Sequence, residues 1–174
     1  MISWMIVERL RSGKATLVGA CTGIVAGLVV ITPAAGFVDV WAAVVWASSF
    51  SPICYSAMAF LKPKLGYDDA LDAFGCHGIG GMVGGVLTGI FCVPDLSWTD
   101  FGGLLYTGDP TLLIAQIEGI LITIVFVAVM SAIIGLVVKV LFKGSLRVSA
   151  EEEAEGLDAR EHGESAYPAF NGLD

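Results

Sequence analysis

The chain has 174 residues, of which 56% are hydrophobic and only 15% are charged. A soluble domain of this size has a large polar surface to cover. So few polar residues exclude that class and indicate an integral membrane protein. The net charge of -8 belongs to the loops and the C-terminal region, and no basic stretch in the sequence points to nucleic acid as a partner.

Five apolar stretches follow one another along the chain. Residues 1–8 form an apolar run that is far shorter than the roughly 20 residues needed to cross the hydrocarbon core, so we interpret it as the end of a span. A signal peptide is the alternative, but the basic residues follow this run instead of preceding it. Complete spans are predicted at 15–33, 38–61, 70–93 and 111–142. The predicted fold is an all-α, polytopic transmembrane helix bundle.

The loop charges predict the orientation of these spans. If the spans alternate, the lysines and arginines within 9–14, 62–64 and 139–147 all lie on one side. The opposite loops, near Asp39 and across 94–110, contain acids and no basic residue. Because basic loops stay in the cytoplasm, we expect a multi-pass protein of the cell membrane, embedded in the lipid bilayer, with its C-terminus in the cytoplasm.

The character of the sequence changes after the last span. Residues 148–174 are acidic, polar and poor in branched apolar side chains, which suits a solvated tail. We therefore predict a transmembrane bundle over residues 1–147 and a cytoplasmic C-terminal tail over 148–174. Composition alone favours a disordered tail, and docking on the bundle is the alternative.

Two glycine stripes mark faces for helix packing. In lipid, a glycine-rich apolar segment still forms helix because its backbone groups must be paired internally. Glycines spaced by four residues then allow a neighbouring helix to approach closely. The stripes are formed by Gly19, Gly23 and Gly27 and by Gly81, Gly85 and Gly89.

His77 is an ionisable residue inside a predicted span. It follows Asp69, at the inner boundary, by eight residues, which places it roughly 12 Å into the bilayer at about 1.5 Å per residue. An ionisable side chain at this depth is costly and is treated by default as functional. The alternative is a buried structural histidine that is bonded to a carbonyl group.

Three acids precede this histidine, namely Asp68, Asp69 and Asp72. They fall at the start of the predicted 70–93 span, where carboxylates complement the partial positive charge of a helix N-terminus. Capping of the helix is one interpretation, and a vestibule that attracts cations is the other.

The cysteines carry no sign of a metal or redox site. Cys21, Cys54, Cys76 and Cys92 all lie in predicted spans and have no CxxC spacing. Thiols buried in lipid behave as small hydrophobic groups. We expect no disulfide, no bound metal and no cofactor.

Three segments carry a resemblance to a known family. They are GKATLVGACTGIVAGLVVITPAAGFV at 13–38, DDALDAFGCHGIGGMVGGVLTGIF at 68–91 and GSLRVSAEEEAEGLDAREHGESAY at 144–167. In content, order and spacing the chain resembles the C-terminal half of ammonium transporters of the Amt/Mep/Rh family, nearest to the bacterial Amt branch. The resemblance implies the end of helix seven and the whole of helices eight to eleven of an eleven-helix subunit.

The resemblance also implies a function, which is transport and not enzymatic catalysis. His77 matches the second of two pore histidines, and Val25, Leu28 and Ala73 would line the apolar pore around it. The implied substrate is ammonium or ammonia, with methylammonium as its analogue. The complete protein would be a homotrimer, and its tail would be regulatory and accessible to a PII-type nitrogen regulator at the cytoplasmic face.

The chain departs from the family pattern at its start. The first pore histidine, the outer aromatic site and the phenylalanine gate of the family belong to helices that would precede residue 1. We therefore expect half of a transport path, from an incomplete reading, a split gene or a remnant. The alternative function is a non-transporting membrane scaffold or regulatory subunit built from a transporter remnant.

Overall fold

The computed structural model describes residues 1–143 and 146–164, and all its regular elements within those two ranges are helical. Three α-helices directly adjoin π-helical turns, and short 3-10 turns follow the second and fifth α-helices. The α-helices are α1 (Ile2–Ser12), α2 (Leu17–Ile31), α3 (Val40–Ser56), α4 (Lys62–Leu65), α5 (Gly80–Phe91), α6 (Leu104–Thr107), α7 (Thr111–Leu141) and α8 (Ala150–Glu155). The 3-10 turns are Thr32–Ala34 and Pro94–Leu96, and the π turns are Ala57–Leu61, Phe74–Ile79 and Asp158–His162.

Four helical stretches in the described residues are long and apolar enough to cross a membrane. They are Leu17–Ala34, Val40–Leu65, Phe74–Phe91 and Thr111–Leu141. The predicted all-α fold class is therefore confirmed. The third stretch begins at Phe74 and not at the predicted residue 70, because a turn at the preceding acids separates it from α4.

The chain divides into two compact units, residues 1–124 and 125–174. The first unit contains α1 to α6 and the beginning of α7. Its core is small and is built around the buried indole of Trp46, which meets the ring of Phe91 edge-on at a centroid distance of 5.1 Å. Val30 and Cys54 are fully buried beside it, so α2, α3 and α5 converge on one apolar centre.

The second unit contains the rest of α7 and the helical turns of the C-terminal region. The residues of α7 in this unit are exposed or half-exposed throughout. Helix α8 begins with a capping box, in which the Ser149 hydroxyl accepts from the Glu152 amide while the Glu152 carboxylate accepts from the Ser149 amide. These two bonds stabilise the start of a helix that has only six residues.

The first glycine stripe packs within the first unit. Gly19, Gly23 and Gly27 are all buried on α2. A Cβ atom at Gly19 or Gly23 would overlap side chains of α1, whereas a Cβ atom at Gly27 would sit 3.6 Å from that of Ala47 on α3. This stripe therefore brings α1 close to α2, and its last member lies against α3.

The second stripe has a different neighbour. A Cβ atom at Gly89 would come within 2.6 Å of the Leu113 Cα atom, and one at Gly85 within 3.0 Å of the Ile120 Cδ1 atom. Both contacts are with the first half of α7. Gly81 faces open space, with no atom of the described residues within 4 Å of a Cβ at this position. The two stripes thus pack on different helices and not on each other.

Candidate functional site

His77 lies in the π-helical turn Phe74–Ile79, which leads directly into α5. Its side chain is exposed and makes no hydrogen bond to any residue in the described ranges. The carbonyl partner of a buried structural histidine is therefore not found in this part of the chain. Single π turns within α-helices occur frequently at functional sites. The sequence pattern did not predict this one.

The opposite side of the π turn is seated on α3 and its continuation. The Cys54 thiol donates to the Cys76 carbonyl oxygen at 3.8 Å. A Cβ atom at Gly75 would overlap the side chain of Met58. Because Gly75 and Cys76 are buried while the next residue is His77, these contacts turn the imidazole away from the core.

Helices α2 and α5 run parallel against each other. A Cβ atom at Gly80 would lie 3.0 Å from Val29 Cγ1, and one at Gly84, a turn later, would lie 2.9 Å from Pro33 Cδ. Both contacts advance toward the C-terminal ends of the two helices. Residues of α2 and α5 that meet in this way therefore lie at the same height along the bundle, and they stay matched from one turn to the next.

The predicted pore-lining residues lie on exposed surfaces of these helices. Val25 is 41% exposed and Leu28 is 60% exposed on α2, and Ala73 is exposed just before the π turn. Val25 precedes Val29 by one turn, as Cys76 precedes Gly80, so parallel packing puts Val25 at about the level of His77. Val25, Leu28 and Ala73 are thus exposed apolar residues, and Val25 lies near the level of the His77 imidazole.

Asp69 caps the helix that carries the histidine. Its carboxylate oxygens accept from the backbone amides of Ala73 and Phe74, each at 2.9 Å. These amides belong to the first turn, where no helical carbonyl is available to them. Asp69 therefore fixes where the helix begins and, with it, the position of His77 along the span.

Asp72 is held by a basic residue of the preceding helix. The Lys62 ammonium lies 2.8 Å from Asp72 Oδ1 and donates to the Asp69 carbonyl oxygen at 2.6 Å. Asp72 adopts a φ of 55°, a left-handed conformation that aspartate tolerates better than most residues. Asp68 is exposed in the same turn. The ion pair joins the start of the histidine helix to α4.

The opposite end of the first unit is held by Asp39. Its Oδ2 atom accepts from the Trp41 indole at 3.3 Å and from the Tyr106 hydroxyl at 3.2 Å. Desolvation, and then this hydrogen bond to a negative group, raise the pKa of Tyr106. Nearby, hydrogen bonds from Thr111 lower the pKa of Asp109 at the start of α7. The Tyr106 bond ties the 94–110 loop to the start of α3.

Sequence reasoning missed Lys62 and Tyr106 as structural partners. In the sequence, Lys62 was used only as one of the positive charges that predict the orientation of the spans. Its place ten residues before Asp72 could have suggested an ion pair across the turn. Tyr106 lies 67 residues from Asp39, and no local pattern connects them. The cysteines are all free, and no group of residues in the described ranges could hold a metal ion.

Comparison with known proteins gives consistent matches. The sequence model of the Ammonium Transporter Family matches residues 1–167. The chain is 51% identical to an ammonium transporter of Aquifex aeolicus over 95% of its length and 38% of that protein. It is 47% identical to a putative ammonium transporter of Methanothermobacter thermautotrophicus, covering 96% of this chain and 40% of that protein. The chain thus spans about two fifths of the length of the relatives it matches.

Solved structures give the same result. The crystal structure of Saccharomyces cerevisiae Mep2 matches 99% of this chain and 40% of its own, with a TM-score of 0.76 and 36% identity. That of Candida albicans Mep2 matches 87% of this chain and 34% of its own, with a TM-score of 0.74 and 33% identity. The helix arrangement described above is therefore shared with proteins of known structure.

Proposed function

The chain belongs to the ammonium transporter family, and on that premise we propose that it forms the C-terminal part of an ammonium or ammonia path through the membrane. His77 is the residue of that path that binds the solute and exchanges a proton with it. The observation that carries the proposal is the exposed imidazole at the π turn, without a hydrogen-bond partner in the described residues, with the exposed apolar residue Val25 of α2 at about its level.

A path lined by apolar side chains favours a neutral solute. Moving a bare cation into apolar surroundings costs far more than moving ammonia, which has no net charge. A neutral imidazole offers one hydrogen-bond donor and one acceptor, and its unprotonated nitrogen is the atom that can take up a proton. His77 can therefore accept a proton from ammonium while Val25, Leu28 and Ala73 line the route of the neutral molecule.

The wider assignments follow from the same premise. We propose that residues 1–147 act as a bundle in the cell membrane, as one protomer of a homotrimer when complete. Residues 148–174 then form a cytoplasmic regulatory tail that a PII-type regulator can contact. The capping box of α8 supports a structured start to this tail. Residues 144–145 and 165–174 lie outside the described residues.

Methylammonium uptake tests the role of His77. The full-length protein is expressed in cells that lack their own ammonium transporters, and His77→Ala is compared with His162→Ala. His162, in the C-terminal π turn, is the other histidine of the sequence, so this control removes the same group elsewhere.

We expect His77→Ala to abolish uptake or change its selectivity while the protein still assembles, and His162→Ala to transport normally. Equal uptake kinetics and selectivity in wild type and His77→Ala would refute the assigned role. A full-length protein that assembles but takes up no methylammonium would favour the alternative, a non-transporting membrane scaffold.

A further inference from the structure

We propose that Lys62 is a positioning residue for transport, whose ammonium group sets the height of the His77 imidazole along its span. It acts through Asp69 and Asp72, the two residues that the ammonium binds where the helix of His77 begins. The inference rests on the transport role proposed for His77. It adds that this role depends on a cation of the preceding helix, α4.

The turn between Asp69 and Asp72 is held by this one cation. The Asp69 carbonyl oxygen accepts from the Asp72 amide at 3.2 Å and from the Lys62 ammonium at 2.6 Å. The same ammonium lies 2.8 Å from Asp72 Oδ1. Asp72 has a left-handed φ of 55°, and such a conformation persists only when its surroundings fix it. Lys62 therefore binds both ends of a turn that is costly to maintain.

The turn passes its position directly to the residues before His77. The Asp69 carboxylate accepts from the first two amides of the helix that follows. The Asp72 carbonyl oxygen accepts from the Cys76 amide at 3.0 Å, and Cys76 immediately precedes His77. Because these bonds follow one another along the chain, a shift of the turn along the helix axis moves the imidazole with it.

Packing against α3 fixes the π turn of His77 sideways but adapts to movement along the axis. A Cβ atom at Gly75 would overlap the side chain of Met58, which belongs to the π turn leading into α4. A thioether side chain is flexible, and the Cys54 thiol is only a weak donor to this backbone. Charge-assisted hydrogen bonds are shorter and stronger. The ammonium of Lys62 is therefore the contact that sets the height.

Transport per assembled protein tests the proposal, because a merely structural role would lower the amount of assembled protein and not its turnover. The full-length protein and its variants are reconstituted in liposomes, and methylammonium uptake gives KM and turnover. Hydrogen–deuterium exchange of the same proteins in detergent reports on the amides of residues 73–77.

Five variants separate the possible causes. Lys62→Met removes the cation, and Lys62→Arg keeps the charge and the donors. The double variant Lys62→Met with Asp72→Asn leaves neither charge unpaired, so it serves if the single variant does not assemble. Lys64→Met is the matched control, since Lys64 is exposed on the same helix and makes no hydrogen bond or ion pair to any described residue. His77→Ala tests the proposed function by itself.

We expect Lys62→Met to lower turnover about tenfold, since a displacement of about 1 Å at a reacting group can cost about 100-fold in rate. Its amides at 73–77 should exchange about tenfold faster, as expected for the loss of a charged hydrogen bond. The double variant should assemble and show the same low turnover. Lys62→Arg should stay close to wild type in both measurements, and Lys64→Met should match wild type.

Four results would overturn the proposal. Wild-type exchange in Lys62→Met would show that the ammonium does not hold the turn. Faster exchange with wild-type turnover, while His77→Ala loses transport, would leave the proposed function intact and remove the positioning role. An equal fall of turnover in Lys64→Met would assign the effect to lost charge at the membrane surface. Wild-type transport by His77→Ala would refute the proposed function, and the positioning role with it.

Discussion

Replacing Gly84 by alanine should separate α2 from α5 and lower the stability of the bundle. A Cβ atom at this position would overlap the Val30 carbonyl oxygen and come within 3.0 Å of two Pro33 ring carbons. The carbonyl is backbone and the ring is rigid, so neither can rotate away. One added methyl group must therefore push the two helices apart.

The size of the effect is obtained by comparison with Gly81→Ala on the same helix. Both changes gain the same helix propensity, about 1 kcal/mol in water, but a Cβ atom at Gly81 meets no described atom within 4 Å. The difference between the variants is then the cost of overpacking, about 1–3 kcal/mol. At about 2–4 °C per kcal/mol for a chain of this size, Tm should differ by about 2–12 °C.

Tryptophan fluorescence during heating in detergent measures this difference, since the buried Trp46 reports on the same core. All samples need one scan rate, because the midpoint of an irreversible transition depends on it. Gly84→Ala should melt below wild type, and Gly81→Ala at or above it. Equal midpoints for the two variants would show that the close contact at Gly84 is not limiting.

Three further predictions concern the helix ends. Asp69→Ala removes the acceptor of two backbone amides and should lower the free energy of unfolding by about 0.5–2 kcal/mol, measured as a lower Tm. An unchanged Tm would contradict the capping role of Asp69. Lys62→Met and Asp72→Asn should each lower Tm, and the double variant should have a Tm no lower than that of the single variants. Additive losses of Tm in the double variant would mean that the ion pair contributes nothing. The Ser149 amide and hydroxyl lower the pKa of Glu152. The stabilisation from this capping box is therefore fully present above the ordinary pKa of a glutamate, and it is lost as the pH falls through the lowered pKa of Glu152. In Ser149→Ala, which removes the hydroxyl, the pKa of Glu152 should rise toward the ordinary glutamate value in a carboxyl NMR titration, and an unchanged pKa would contradict the role of the hydroxyl.

Much of the fold followed from local features of the sequence. Long apolar stretches predict membrane helices because the bilayer leaves a backbone no other way to pair its polar groups. The position of His77 within one of these stretches likewise predicts its depth in the bilayer without any knowledge of its neighbours. The motif segments identified the family, and the match over residues 1–167 confirms it.

The candidate site was less accessible to the same reasoning. The sequence indicated that Asp69 and Asp72 stand at a helix start, but it could not separate capping from a cation vestibule. The structure gives Asp69 two backbone amides and gives Asp72 the Lys62 ammonium. These partners depend on where α4 ends and how the chain turns afterwards, which a hydropathy pattern does not contain.

The sequence alone thus determined the membrane class, the number of complete spans and the one histidine that stands out among them. Tertiary structure alone decided which glycine stripe meets which helix, how the π turn directs His77 outward, and that Asp39 binds Tyr106 from 67 residues away. The physical reason is that membrane insertion depends on the transfer free energy of each segment by itself. Helix rotation and pairing depend on atoms that approach one another only when the bundle packs.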